Sequence, residues 1–208
     1  MIDRVAFASC YVYSPAGGGV RCERSRLLRE LLKEGDAHFM LKYAVRVRQQ
    51  NEGRSCLAGF FRADDVLVPV PRCTPTARGT WVAAELAQAL VWVGMGTKAW
   101  PGLHRTCAVR KSATAASRAR PSVAVHYESF EVERLPCHAA SLMLVDDVIT
   151  RGRTLLAAAA RLSEAFPGAP VRAFALLRTR GRVSSIEQLL EPCLGEIRWN
   201  GSDARRAP

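Results

Sequence analysis

Residues 142–154 read LMLVDDVITRGRT. Four apolar residues followed by two acids predict a buried strand with Asp146 and Asp147 at its carboxyl end. Thr150 and Gly152 follow shortly after the acids, and residues 152–166 are rich in Ala and Leu. This pattern predicts a short loop that leads into a helix. In parallel sheets, ligands bind outside the carboxyl ends of the strands. The stretch therefore predicts a small-molecule site.

The loop is suited to a phosphate group. A loop that enters a helix offers backbone N–H groups and the positive end of the helix dipole. Gly152 allows a close approach of the backbone, and Thr150 and Thr154 add hydroxyl donors. Asp146 and Asp147 would repel a phosphate, so they require a partner with hydroxyls or a cation, and a ribose with bound magnesium supplies both. In the alternative interpretation the acids cap the helix and the threonines are turn residues.

The chain beyond its first sixty residues alternates strand and helix. Apolar runs at 66–70, 141–145 and 171–177 predict buried strands, while the patterns at 81–92 and 152–166 predict helices. Strands that alternate with helices predict an α/β fold with a central, mainly parallel sheet flanked by helices.

The flanking segments carry weaker signals. The first sixty residues predict an irregular appendage with one helical pattern at 25–32, and residues 126–132 predict a strand. Beyond them, the sequence predicts a helix near 185–190, a strand near 196–199 and a frayed tail at 201–208. We predict one compact domain with three parts, which are an N-terminal hood at 1–63, a core at 64–182 and a C-terminal extension at 183–208.

Composition limits the partners. Thirty Lys and Arg against nineteen Asp and Glu leave a net charge of +11 in 208 residues, which predicts an anionic partner but does not separate a polyphosphate metabolite from nucleic acid. Seven scattered cysteines are typical of reduced thiols rather than a disulfide framework. No apolar run approaches the roughly 18 residues of a membrane span, and no signal-peptide core is present. We expect a cytoplasmic location and no membrane partner.

Residues 142–154 resemble the signature with which type I phosphoribosyltransferases bind phosphoribosyl pyrophosphate (PRPP): a hydrophobic strand, two acids and a Thr/Gly/Thr loop. The resemblance implies the fold of that superfamily, with a hood formed by the N-terminal segment. It also implies that Asp146 and Asp147 face the ribose hydroxyls and Mg²⁺. The loop that would wrap the 5-phosphate consists of Val148, Ile149, Thr150, Arg151, Gly152, Arg153 and Thr154. Arg151 and Arg153 depart from the small residues often found there, and they either add charge to the phosphate site or point to solvent.

A second stretch is similar to a narrower group, the ComF-like, competence-associated phosphoribosyltransferases. The segment VPVPR at 68–72, followed by an Arg-Gly pair at 78–79, resembles the loop that holds pyrophosphate in that group. The residues that would do so here are Pro71, Arg72, Cys73 and Arg78. In the alternative interpretation this is a turn stiffened by proline, with its arginines solvated.

A third stretch resembles the mobile catalytic loop of the same group. It runs from Arg105 to Arg120, contains the sequence KSAT at 111–114, and implies a catalytic role for Lys111. The alternative is a charged surface loop. The zinc ribbon that many ComF-like proteins carry near the N-terminus is absent, since Cys10 and Cys22 are twelve positions apart and form no Cys-x-x-Cys knuckle. The similarity covers residues 66–177.

Histidine and cysteine give no zinc motif. His104, Cys107, Cys137 and His138 are too loosely spaced for one. His126 is interpreted as a core or surface residue rather than a catalyst.

The resemblance implies a Mg²⁺-dependent enzyme that transfers phosphoribosyl from PRPP to a nitrogenous acceptor and releases pyrophosphate. Asp146, Asp147 and Lys111 would be its catalytic residues, and the sequence names no acceptor. The alternative is a non-catalytic PRPP sensor or an adaptor associated with DNA uptake. Further partners to consider are a second copy of the chain in a homodimer, nucleic acid and the DNA-uptake machinery.

Overall fold

The computed structural model describes residues 2–75, 78–110, 120–134, 140–181 and 183–208. These residues form an α/β fold. Its helices are α1 (Val20–Glu34), α2 (Ala37–Glu52), α3 (Val82–Trp92), α4 (Val123–Glu128) and α5 (Arg153–Ala165). Its strands are β1 (Arg4–Tyr13), β2 (Asp65–Pro69), β3 (Lys98–Ala99), β4 (Leu103–Arg105), β5 (Phe130–Val132), β6 (Ser141–Ile149), β7 (Val171–Thr179), β8 (Leu190–Trp199) and β9 (Ala204–Ala207).

Seven strands form the central sheet in the order β3-β2-β6-β7-β1-β8-β9. The pairs from β3 to β1 are parallel, whereas β8 and β9 add at one edge as antiparallel strands. β4 and β5 form a separate antiparallel pair. The prediction of an α/β fold with a mainly parallel central sheet is confirmed.

Helices cover both faces of this sheet, and β6 explains why its sequence is continuously apolar. Leu142 and Leu144 pack on the face covered by α5, while Met143 and Val145 pack on the face covered by α1, α2 and α3. A strand with both faces buried has no polar alternation. The apolar run therefore reflects burial on two sides.

The N-terminal segment is the largest departure from expectation. The first sixty residues are not irregular, because β1 pairs with β7 on one side and β8 on the other, deep within the sheet. Most of β1 is buried, so its sequence RVAFASCYVY lacks the alternation of a half-exposed strand. The structure also has α2, which the sequence did not predict, beginning after Asp36, whose carboxylate accepts from the N–H of Phe39 at 2.7 Å.

Three predictions in the second half are wrong. Residues 126–132 are not one strand, since α4 begins after Ser122, which caps it through the N–H of Val125, and β5 follows. The described residues near 185–190 form no helix, and β8 begins there instead. The tail at 201–208 is not frayed, because β9 pairs with β8. The start of α4 and the pairing of β9 depend on neighbouring residues, whereas β8 forms by pairing with the distant β1.

A buried ion pair joins three strands at the amino end of the sheet. The carboxylate of Asp65 in β2 accepts from Arg172 of β7 at 2.5 Å and from the hydroxyl of Ser141 in β6. Asp65 is fully buried, and the side chain of Arg172 is 13% exposed. This cluster lies at the opposite end of the strands from the predicted ligand site.

No helix in the described part of the chain is long and apolar enough to cross a membrane.

Candidate functional site

The two acids lie within β6 rather than after its end, because β6 extends to Ile149. Asp146 pairs in register with Ala175 of β7, and its Oδ1 accepts from the N–H of Asp147 at 2.9 Å. Both side chains are partly buried. Burial raises the pKa of Asp146 well above its ordinary value, and the neighbouring charge of Asp147 raises it further. The site thus holds a carboxyl group that gains from a cation or a hydrogen-bond donor.

The predicted pyrophosphate loop lies beside this pair. Pro69 of β2 is in register with Val145 of β6, and the N–H of Val70 donates to the carbonyl of Val145 at 2.8 Å. The chain that leaves β2 therefore runs beside Asp146 and Asp147 of β6, and it contains Pro71, Arg72 and Cys73. Register between parallel neighbours, which the sequence cannot specify, brings the two motifs together.

Two hydrogen bonds shape the predicted pyrophosphate loop. The guanidinium of Arg72 donates to the carbonyl of Gly79 at 2.7 Å, and the indole of Trp81 donates to the carbonyl of Val70 at 2.8 Å. Arg78 is exposed, and residues 76–77 lie outside the described part. These two bonds join the beginning of the segment, at Val70 and Arg72, to its end, at Gly79 and Trp81.

The predicted phosphate loop leads from β6 into α5. Thr150 and Arg151 are exposed, while Gly152 precedes the first residue of α5 with a φ of 85°. A Cβ at Gly152 would lie 2.7 Å from the side chain of Ile197, so the clearance that this glycine provides is filled by β8. No side chain caps α5 at Gly152, which leaves the amides at its start available to an anion.

Of the two arginines in this loop, Arg151 is exposed to solvent, in agreement with one of the two alternatives, whereas Arg153 follows neither. Arg153 donates to both carboxylate oxygens of Asp203 at 2.5 Å, and to the carbonyls of Arg120 and Pro121. Arg151 is half-exposed and lies 3.3 Å from the same carboxylate. The hydrogen bond from Arg153 lowers the pKa of Asp203. Asp203, which precedes β9, thus pairs chiefly with Arg153 and leaves a net positive charge on the two arginines.

A buried polar cluster that sequence reasoning missed adjoins all three segments. Arg105 is 5% exposed; its Nε donates to the carbonyl of Arg72 at 3.1 Å and its Nη1 to the hydroxyl of Ser129. Its Nη2 lies 3.1 Å from Nδ1 of His126, whose Nε2 lies 3.4 Å from the hydroxyl of Thr154. Arg105 had been predicted to begin a mobile loop, but it belongs to β4.

Burial determines the charge states in this cluster. It lowers the pKa of Arg105 to about 10, opposed by the nearby Cys73 and Asp146. It also lowers the pKa of His126 to about 4, assisted by the positive charges of Arg105 and Arg153. The only sequence signal of this cluster was a histidine within an apolar run, which is more typical of a core residue.

The acids are chemically suited to magnesium. Within the described residues, no group of three or more His, Cys, Asp and Glu side chains is arranged to hold a metal ion. Mg²⁺, however, is usually held by one or two carboxylates together with substrate phosphates and water. Asp146 and Asp147 supply two such ligands, and a cation would relieve the charge repulsion between them. The donor set therefore fits Mg²⁺ that arrives with a phosphate ligand.

No family model and no curated protein matches the chain. Lys111, with the rest of the KSAT segment, lies outside the described residues, as do Cys137 and His138. The catalytic role of Lys111 stays a prediction.

Proposed function

We propose that this protein binds PRPP with Mg²⁺ and transfers the phosphoribosyl group to a nitrogenous acceptor, releasing pyrophosphate. The observation that carries the proposal is the register of Pro69 with Val145. It aligns the segment that resembles a pyrophosphate loop with the two acids, and Asp147 lies six residues before Arg153, the first residue of α5. A ligand with a pyrophosphate at one end, hydroxyls in the middle and a phosphate at the other end matches that order.

Each segment then has a chemical role. The amides at the start of α5 and the hydroxyls of Thr150 and Thr154 hold the 5-phosphate. Asp146 and Asp147 accept hydrogen bonds from the ribose hydroxyls. Bound Mg²⁺ would neutralise part of the pyrophosphate charge.

The reaction breaks the bond between ribose C1 and the pyrophosphate oxygen, and the bonding pair leaves with pyrophosphate. A bond forms from C1 to the acceptor nitrogen, which then loses a proton. The transition state resembles an oxocarbenium ion, as at other glycosidic centres. Negative carboxylates beneath the ribose stabilise that positive charge, and Arg72, Arg78 and Lys111 compensate the charge of the leaving group.

The test is titration calorimetry with PRPP at fixed Mg²⁺ and salt. Asp147→Asn keeps the shape of the side chain but removes its charge, so we expect at least roughly tenfold weaker binding from the loss of a charge-assisted contact. Glu187 is exposed, and Glu187→Gln is the matched control for a lost carboxylate. Unchanged PRPP affinity in a folded Asp147→Asn protein would refute the proposal.

Catalysis is tested separately by pyrophosphate release from PRPP with a mixture of free bases and amines. An enzyme should lose turnover in both Asp147→Asn and Lys111→Ala. A PRPP sensor should bind PRPP, release no pyrophosphate and respond little to Lys111→Ala. The two substitutions therefore separate an enzyme from a sensor of the same fold.

The net charge of +11 supports a second candidate, binding of nucleic acid. A thermal-shift panel with PRPP and single-stranded DNA, each with and without Mg²⁺, separates the two. A ligand at 100 times its dissociation constant stabilises the fold by roughly 2.7 kcal/mol. A response to DNA and none to PRPP would favour the second candidate.

A further inference from the structure

His126 bridges two parts of the candidate site that are far apart in the chain. It lies in α4, is 3% exposed, and has Arg105 of β4 on one side of its ring and Thr154 of α5 on the other. The distances are 3.1 Å from Nδ1 to Nη2 of Arg105 and 3.4 Å from Nε2 to Oγ1 of Thr154. Both ring nitrogens therefore have a partner.

The chemistry of arginine assigns the tautomer. A guanidinium can only donate hydrogen bonds, so Nδ1 of His126 must accept from Arg105 and cannot carry a proton. In a neutral imidazole the proton then resides on Nε2. Nε2–H consequently donates to the hydroxyl oxygen of Thr154.

The surroundings keep the ring neutral. Burial and the charges of Arg105 and Arg153 lower the pKa of His126 to about 4. A second proton on the ring would remove the acceptor of Arg105 and add a cation beside two others. At neutral pH a single tautomer is therefore populated.

Arg105 is itself held firmly, which fixes the ring. Its guanidinium lies 4.2 Å from the centroid of Phe130, and it also donates to Ser129 and to the carbonyl of Arg72. The last of these bonds belongs to the predicted pyrophosphate loop. The cluster thus connects that loop to the start of α5.

Thr154 is left with one free donor. Its oxygen accepts from His126, so its own hydrogen is not used in that bond, and no other hydrogen bond of its side chain occurs among the described residues. The residue is partly exposed at the second position of α5. A hydroxyl whose oxygen accepts a hydrogen bond from the protein can donate its own hydrogen to a ligand that only accepts hydrogen bonds, such as phosphate.

We infer that His126 is a positioning residue: its Nε2–H fixes the hydroxyl of Thr154 so that this hydroxyl donates to the phosphate of a bound sugar phosphate. The inference rests on the proposed function for its ligand, but the tautomer does not. Protein groups that are oriented before binding increase affinity because less freedom is lost when the ligand arrives.

The tautomer is measured first, in the ligand-free protein at neutral pH. Long-range proton–nitrogen correlation spectra distinguish a bare Nδ1 from a protonated one. We expect His126 to have a bare Nδ1 and a protonated Nε2. The opposite tautomer, or a mixture of the two, would overturn the inference whatever the protein binds.

Binding of PRPP and of ribose 5-phosphate is measured next, by calorimetry with Mg²⁺ present. Thr154→Val should weaken both ligands about tenfold, since a hydrogen bond to a charged phosphate is lost, while Thr154→Ser should retain affinity. His126→Leu should weaken the binding of both ligands several-fold. In the double variant with Thr154→Val, it should reduce the affinity little beyond the loss caused by Thr154→Val alone. His38→Gln, at an exposed histidine outside the cluster, is the control and should bind both ligands as the wild type does.

The outcomes separate the proposed binding of PRPP from the positioning role of His126. If the wild-type protein binds PRPP and His126→Leu, with its fold intact by circular dichroism, binds it equally well, the inference alone is overturned. Additive losses in the double variant would also overturn it. If the wild-type protein binds neither ligand, the proposed function fails, and the role of His126 toward a phosphate fails with it.

Discussion

Asp146 is a buried acid whose ionisation the fold disfavours. Its carboxylate is desolvated and lies next to Asp147, and both features raise its pKa. Arg105 opposes the shift but does not cancel it. A group whose pKa is raised on folding destabilises the native state increasingly as pH rises through the folded pKa. Functional sites commonly retain such unfavourable arrangements because ligand binding relieves them.

We therefore predict that Asp146→Asn stabilises the ligand-free protein at neutral pH. The amide keeps an oxygen for the N–H of Asp147 and removes an acid whose ionisation burial and Asp147 disfavour. We expect the unfolding midpoint to rise by roughly 2–4 °C, the shift that about 1 kcal/mol produces in a domain of this size. PRPP binding should weaken in the same variant. Calorimetric scans of the variant and of Glu187→Gln provide the comparison, and a lower midpoint in Asp146→Asn would contradict the expectation.

His126 makes stability depend on pH in a defined window. Its pKa is about 4 in the folded protein against an ordinary value of 6.5, so the unfolded chain binds the proton first as pH falls. Stability should therefore decrease between these two values, by roughly 3 kcal/mol in total. His126→Gln should be less stable than the wild type at neutral pH, but it should lose less stability as pH falls from 6.5 to about 4. The control His38→Gln, at an exposed histidine, should lose as much stability as the wild type. Urea titrations across that range are the measurement; parallel curves for wild type and His126→Gln would exclude His126 as the source.

At the scale of elements, the C-terminal strand supports the start of α5. β9 extends the sheet beyond β8, and the turn before it delivers Asp203 to Arg153. From β9 itself, Arg206 donates to the carbonyls of Ile149 and Thr179, the last residues of β6 and β7. The last nine residues therefore contact the candidate phosphate loop at two positions, Ile149 and Arg153.

We expect Asp203→Asn to cost about 1 kcal/mol, because the bidentate pair with Arg153 is only partly buried. Hydrogen exchange should accelerate at 200–207 and at 151–154 together. Ser202→Ala, which removes only an exposed hydrogen bond to Asn200, is the control. In a double-mutant cycle, Arg153→Gln and Asp203→Asn should show a coupling of comparable size. Zero coupling would mean that the pair contributes nothing to the free energy of unfolding.

For the whole molecule, the buried ion pair and the candidate site lie at opposite ends of the sheet. Asp65, Ser141 and Arg172 tie β2, β6 and β7 together at the amino end. The acids and both predicted ligand loops lie at the carboxyl end. This separation allows one end to be altered with little direct effect on the other.

Asp65→Ala should reduce the free energy of unfolding by about 3 kcal/mol, because it leaves Arg172 buried without its counter-charge. Joint replacement by Asp65→Leu and Arg172→Met should cost less than Asp65→Ala alone. Below the unfolding transition, all these variants should keep the PRPP affinity of the wild type. Denaturant titrations give the stabilities, and a double replacement worse than the single one would count against the ion pair as the cause.

Local sequence was sufficient for the features that depend on neighbouring residues. The apolar run before Asp146, Gly152 at the start of α5, and the Ala- and Leu-rich helix itself all follow from short-range periodicity and backbone preference. These features predicted an α/β fold and the position of a candidate site. They did so because a buried central strand and the loop after it have a distinctive composition in any parallel sheet.

Contacts between distant residues settled the rest. Placing β1 between β7 and β8 requires pairing across more than 150 residues, and a strand buried on both faces carries no period that reveals its partners. Asp203 pairs with Arg153, which is fifty residues away in the sequence. His126 of α4 contacts Arg105 of β4 and Thr154 of α5. Such polar partners are selected by geometry and burial once the chain is folded, since an isolated polar residue in a sequence does not specify which distant group will satisfy it.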